Sequence, residues 1–90
     1  MLAEPTLDVT YRHGKAWAAY RFLPRESGQR PATSRPDGSG FVIDLAKDGA
    51  PLGVEITAPH LLSMASLNAA LRKFGVAPMR RIDLAPLLVA

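Results

Sequence analysis

Asp44 and Glu55 are the side chains best spaced for acid–base work in this chain of 90 residues. Each occupies a polar position in an alternating run, and hairpin pairing sets the two on one face of neighbouring strands, offset and not directly opposite. Such a pair becomes catalytic when burial and neighbours drive its two pKa values apart. Nothing in the flanking residues supplies that burial, and the alternation around both is that of a half-solvated strand. With His60, which follows Pro59, they make a candidate polar face of Asp44, Glu55 and His60. His13 and His60 are the only histidines, and cysteine is absent. Zinc needs three or four convergent ligands, so no metal site is expected, and disulfides and thiolate nucleophiles are excluded outright. Ser39 lies between Gly38 and Gly40, but a nucleophile elbow needs a strand before it and a helix after it. No P-loop or G-x-G-x-x-G pattern occurs. The expectation is a chain with no catalytic residues, no cofactor and no metal. A small enzyme built on Asp44 and Glu55 is the weakest alternative.

Binding is the stronger reading. Trp17 is the only tryptophan, and strand alternation places it with Thr10 and Arg12 on the face away from the hairpin's apolar side. Tryptophan and arginine are enriched at interaction hot spots, so Trp17 with Arg12 and Arg21 forms a candidate interface. The apolar tail residues Leu84, Leu87 and Leu88 join it, because a small sheet leaves apolar surface for a partner to cover. A homodimer, through sheet edges or this tail, and a separate protein partner are both expected. Lys and Arg total 11 against 8 Asp and Glu, a net charge of +3. The arginines are scattered, whereas nucleic-acid binders concentrate them on one face. Nucleic acid is therefore disfavoured, and the alternative is a weak phosphate contact through Arg12, Arg21, Arg25, Arg30 and Arg35.

The elements that position these residues follow from periodicity. Residues 7–23 read as a hairpin: Leu7, Val9 and Tyr11 alternate with polar residues, His13-Gly14 turns, and Ala16, Ala18, Tyr20 and Phe22 alternate again. Pairing Arg12 with Lys15 sets Tyr11 opposite Ala16, Val9 opposite Ala18 and Leu7 opposite Tyr20, with all these apolar residues on one face. Residues 24–38 carry prolines and glycines and almost nothing apolar, and read as a long surface loop. Residues 39–57 form a second hairpin about Lys47–Ala50, with Phe41 opposite Ile56, Ile43 opposite Val54 and Leu45 opposite Leu52. The period then becomes helical over 63–75, where Met64, Leu67, Ala70, Leu71 and Phe74 recur. Ser63 or Ser66 caps the start and Gly75 closes the end. Residues 76–90 are an apolar tail interrupted by Pro86, in which Asp83 caps a short turn from Leu84 to Leu88 or the segment lies along a sheet edge.

Ninety residues allow one domain with a thin core. Two hairpins and one helix specify an α+β domain, a small antiparallel sheet packed by a C-terminal helix and a short apolar tail. No basic segment followed by an apolar run opens the sequence, and no stretch reaches the length of a membrane helix. A cytoplasmic protein without membrane contact is expected.

The stretch FVIDLAKDGAPLGVEITAP resembles the signature of a small bacterial family, domain of unknown function 2283, whose members end a strand in V-x-D, turn on Asp-Gly and continue as L-x-G-I-E-I-L. Asp44, Asp48, Gly49, Leu52, Gly53, Val54, Glu55 and Ile56 carry the resemblance. Ser66 to Pro78 resembles the helix that follows in longer members, and the opening hairpin matches more loosely. The proline-rich loop departs from the family, whose members join their hairpins through a shorter, acidic strand. The resemblance implies no activity. Some members are encoded beside small toxin-like ribonucleases, which implies an antitoxin-like binding role.

Overall fold

His13 and Gly14 both take positive φ, 53° and 76°, the backbone of a two-residue hairpin turn that matches the natural strand twist. In the computed structural model, which describes residues 2–3, 6–26 and 28–88, this turn joins β2 (Leu7–Arg12) to β3 (Lys15–Phe22). The other strands are β1 (Leu2–Ala3), β4 (Arg25–Glu26), β5 (Thr33–Pro36), β6 (Phe41–Leu45) and β7 (Pro51–Ile56). β1 pairs with β4, and the remaining five form an antiparallel sheet in the order β2-β3-β7-β6-β5. The helix α1 (Met64–Arg72) and a 3₁₀ segment, Arg81–Leu87, cover one face of it, burying Leu67, Ala70, Leu71 and Leu84. The expected α+β class holds, with a sheet wider than two hairpins.

The first hairpin departs from the expected register. Arg12 pairs with Lys15 and Tyr11 with Ala16, but Thr10 then pairs with Ala18 and Val9 with Ala19. Trp17 is the extra residue of a β-bulge. One inserted residue reverses every side chain beyond it. Ala19 and Leu23 therefore enter the core, while Tyr20 and Phe22 turn to the outer face, their rings edge to face at 4.8 Å. The run Ala16 to Tyr20 has no polar residue to mark its outward positions, so alternation alone could not locate the slip.

The second hairpin matches at Phe41–Ile56 and Ile43–Val54, then shifts so that Leu45 meets Pro51. Leu52, released from that pairing, is fully buried. The expected loop is also part strand. Thr33–Pro36 pairs with β6, Ser34 opposite Asp44 and Arg35 opposite Ile43, and Arg25–Glu26 pairs with β1. An edge strand is bonded on one side only, which tolerates Pro36 at its end. All four residues of β5 are exposed, so no alternation betrays them.

Ser63 caps α1, its Oγ accepting from the Ser66 N–H at 3.3 Å. The helix closes on Gly75 in a Schellman arrangement, with the Val76 N–H donating to the Leu71 carbonyl at 3.0 Å and the Gly75 N–H to Arg72 at 3.1 Å. Asn68 then ties the following segment to the helix: its Oδ1 accepts from the Met79 N–H at 2.8 Å and its Nδ2 donates to the Met79 carbonyl at 3.2 Å. The tail begins its turn earlier than expected, at Arg81. Asp83 Oδ2 accepts from the Arg80 N–H at 2.9 Å. Leu84 is wholly buried, and Leu87 and Leu88 pack against the same cluster. Leu84 thus belongs to the core and not to a free interface, while Leu87 and Leu88 keep part of their surface open. The thin core recruits them because α1 alone cannot cover the inner face of five strands. Val89 and Ala90 of the tail lie outside the described residues.

Candidate functional site

The bulge that turns Tyr20 outward also leaves Trp17 at the hairpin end of the sheet, 57% exposed. The Arg12 guanidinium lies over its ring, 4.5 Å from the centroid. A cation at that distance is held by the ring quadrupole. Arg12, His13, Lys15, Ala16, Trp17 and His60 line one hollow of about 520 Å³. His60 reaches it from the 3₁₀ turn Pro59–Leu61, which packs beside β3. Tyr11 and Leu61 are exposed as well, Leu61 at 74%. The result is an aromatic and apolar surface edged by cationic side chains.

Asp44 and Glu55 share the outer face as expected, Asp44 opposite Gly53 and Glu55 opposite Val42 and Tyr20. His60 does not join them. It lies in the Trp17 hollow, because the chain leaves β7 after Ile56 and carries it to the hairpin end of the sheet. The partners of Asp44 are instead two hydroxyls. Tyr20 Oη donates to Oδ2 at 2.7 Å and Ser34 Oγ to Oδ1 at 2.6 Å. These bonds tie β3, β6 and the edge strand β5 together across the sheet. The Tyr20 ring lies directly on Gly53, where a Cβ would overlap Oη, Cε1 and Cζ. Sequence reasoning missed Tyr20 and Ser34 as partners of Asp44. The bulge hid the first, and the second stood in a stretch without periodicity.

Arg21 is separated from Trp17 and Arg12. It lies at the opposite end of β3, opposite Leu7 and Val54, on the core side of the sheet. Its Nη1 donates to the Asp83 carbonyl at 3.3 Å. Arg30 and Arg35 are exposed, and the Arg25 side chain lies outside what the structure describes. Among the described residues Arg12 and Arg21 lie at opposite ends of the sheet and do not converge. Among the described residues Asp37 and Asp83 are held below the usual carboxylate range. Burial pushes Asp37 up, but the N–H groups of Ser39 and Phe41 and the Ser39 hydroxyl together outweigh it. Asp83 is held down first by the Arg80 N–H, against a burial contribution that raises it, and then by the Arg80 and Arg21 charges. Among the described residues no group of three or more His, Cys, Asp or Glu is placed to hold a metal ion. No helix among them is long and apolar enough to cross a membrane.

Comparison with known proteins finds no matching family model, no matching curated protein and no similar solved structure.

Proposed function

We propose that this chain is a non-enzymatic binding module that docks a protein partner on the Trp17–Arg12 surface. One observation carries the reading: the only tryptophan stands 57% exposed at a β-bulge with an arginine stacked on it. Leaving a large apolar ring in water forgoes burial worth about 2 kcal/mol, and a partner recovers it. The stacked guanidinium loses little freedom on binding, since it is already placed. His60, Lys15 and the exposed Leu61 supply the polar and apolar surroundings of such an anchor. An antitoxin-like role, with a small toxin-like ribonuclease as partner, is the version that the family resemblance implies. A homodimer through the same surface is the version that uses a second copy of the chain.

The test compares tagged wild-type protein with Trp17→Ala as bait in nuclease-treated lysate of its own cells, with sedimentation of each alone. A protein retained by the wild type and weakened at least about fivefold by Trp17→Ala supports the reading. Self-association lost in the variant supports the homodimer version. Retention that is indifferent to Trp17 refutes the surface. Capture that vanishes with nuclease and falls steeply with salt moves the assignment to nucleic acid.

A further inference from the structure

At the end of the sheet opposite Trp17, Arg21 lines a cleft of about 350 Å³, with walls that include Leu23, Pro51, Val76, Pro78 and Met79. The cleft exists because Asn68 holds Met79 by two hydrogen bonds, which suspends residues 75–79 above the ends of β3 and β7. Arg21 is poorly satisfied there. Its Nε is closed off from water and has no hydrogen-bond partner. Among the described residues its hydrogen bond is the long one from Nη1 to the Asp83 carbonyl. Asp83 lines the same cleft, but its carboxylate is committed elsewhere. Oδ2 accepts from the Arg80 N–H and Oδ1 lies 3.4 Å from the Arg80 guanidinium. Among the described residues no carboxylate lies within ion-pair distance of Arg21, and Asp83 feels its charge only as the last of several influences.

A half-buried guanidinium against apolar walls needs a counter-charge. Its planar fork matches a carboxylate. The volume sits at the low end of the range for small-molecule sites, which begins near about 300 Å³. Among the described residues that line the cleft Arg21 is the one cation, and Asp83 stands beside it. That balance suits a monoanion with a hydrocarbon body and disfavours a phosphate dianion. We propose that this cleft binds a small organic acid, its carboxylate on Arg21 and its hydrocarbon part between Leu23, Pro51, Val76 and Met79.

The experiment titrates hexanoate, and separately hexanamide, into ¹⁵N-labelled protein and follows the amide resonances. Hexanoate is expected to shift Leu23 and residues 75–79, with Trp17 and its neighbours unmoved. The neutral amide, of nearly the same shape, is expected to bind at least about tenfold more weakly, the loss of one charge-assisted contact. Arg21→Met is expected to weaken hexanoate by a similar factor while keeping a dispersed spectrum. Equal binding of acid and amide overturns the proposal, since it needs no variant to show that the charge is idle. Shifts absent from residues 75–79, or hexanoate binding unchanged in Arg21→Met, overturn it as well. If Arg21→Met fails to fold, Arg21→Lys keeps the charge and removes the fork, and a severalfold loss of hexanoate binding is expected.

Discussion

Gly53→Ala is a one-methyl change whose cost the structure assigns almost entirely to Tyr20. The three atoms nearest the added methyl all belong to the Tyr20 ring and hydroxyl, and it overlaps them. Tyr20 must therefore leave its place. It then loses its bond to Asp44 Oδ2, worth about 1–2 kcal/mol because Asp44 is half exposed and water and Ser34 remain. It also loses ring burial of about 1 kcal/mol. Against this, alanine in place of glycine restricts the unfolded chain and returns about 0.5–1 kcal/mol. The net expectation is destabilisation by about 1–2 kcal/mol. In a Tyr20→Ala background the clash is gone, so Gly53→Ala is neutral or stabilising by up to about 1 kcal/mol. The coupling energy across the cycle is then about 2 kcal/mol. Urea unfolding followed by far-ultraviolet circular dichroism measures all four proteins; Trp17 fluorescence is a poor probe because the ring is already in water. Equal destabilisation by Gly53→Ala in both backgrounds would refute the reasoning, since it would place the cost in the backbone and not under the tyrosine.

Further outcomes are expected from the core, the edge turn and the bulge. Leu84→Ala removes a side chain of zero exposure, and urea unfolding is expected to show a loss of about 2–4 kcal/mol; a change under 0.5 kcal/mol would return the tail to the surface. Asp37 has a folded pKa depressed below its unfolded value, so its contribution is present above about pH 4 and is lost as pH falls through the folded value. The thermal unfolding midpoint is thus expected to fall on acidification below that range, and Asp37→Asn is expected to flatten the dependence, with Asp83 accounting for part of what remains. Trp17→Ala is expected to leave the unfolding midpoint nearly unchanged, as suits an exposed ring, which separates its binding role from folding.

The second hairpin and the helix were legible because their patterns are redundant. Phe41, Ile43, Val54 and Ile56 pair as alternation requires, and a slip would expose all of them at once. Ser63 and Gly75 mark the ends of α1 by chemistry that works locally. Strand β5 was illegible for the opposite reason. Its four residues are exposed, so no face distinguishes it from a loop, and what holds it is pairing with β6 together with Ser34 on Asp44. The tail was half legible: its apolar content was plain, but whether Leu84 met the core or a partner depended on how much of the sheet α1 left uncovered.

The bulge at Trp17 decides more than the register of one hairpin. Without it, Tyr20 and Phe22 would face α1, where Ala19 now fits against Ile56. Two aromatic rings would then have to enter a core built around Leu67, Leu71 and Leu84. The bulge substitutes the small Ala19 inward, frees Tyr20 to bond Asp44 over Gly53, and leaves Trp17 as the residue with no partner across the ladder. The exposed tryptophan and the hydroxyl–carboxylate bridge across the sheet are thus consequences of one inserted residue. Gly53 is the small position that lets the displaced tyrosine lie flat, and Arg12, on the strand before the turn, is the side chain that reaches the displaced indole. A variant that deletes Trp17 tests this directly: removing the extra residue leaves Ala16, Ala18, Ala19 and Tyr20 opposite Tyr11, Thr10, Val9 and Asp8 in an unbroken ladder, so Tyr20 is expected to stay on the outer face and hydrogen exchange in β3 to be no faster than in the wild type; faster exchange along β3, with loss of the Tyr20–Asp44 bond, would refute the account.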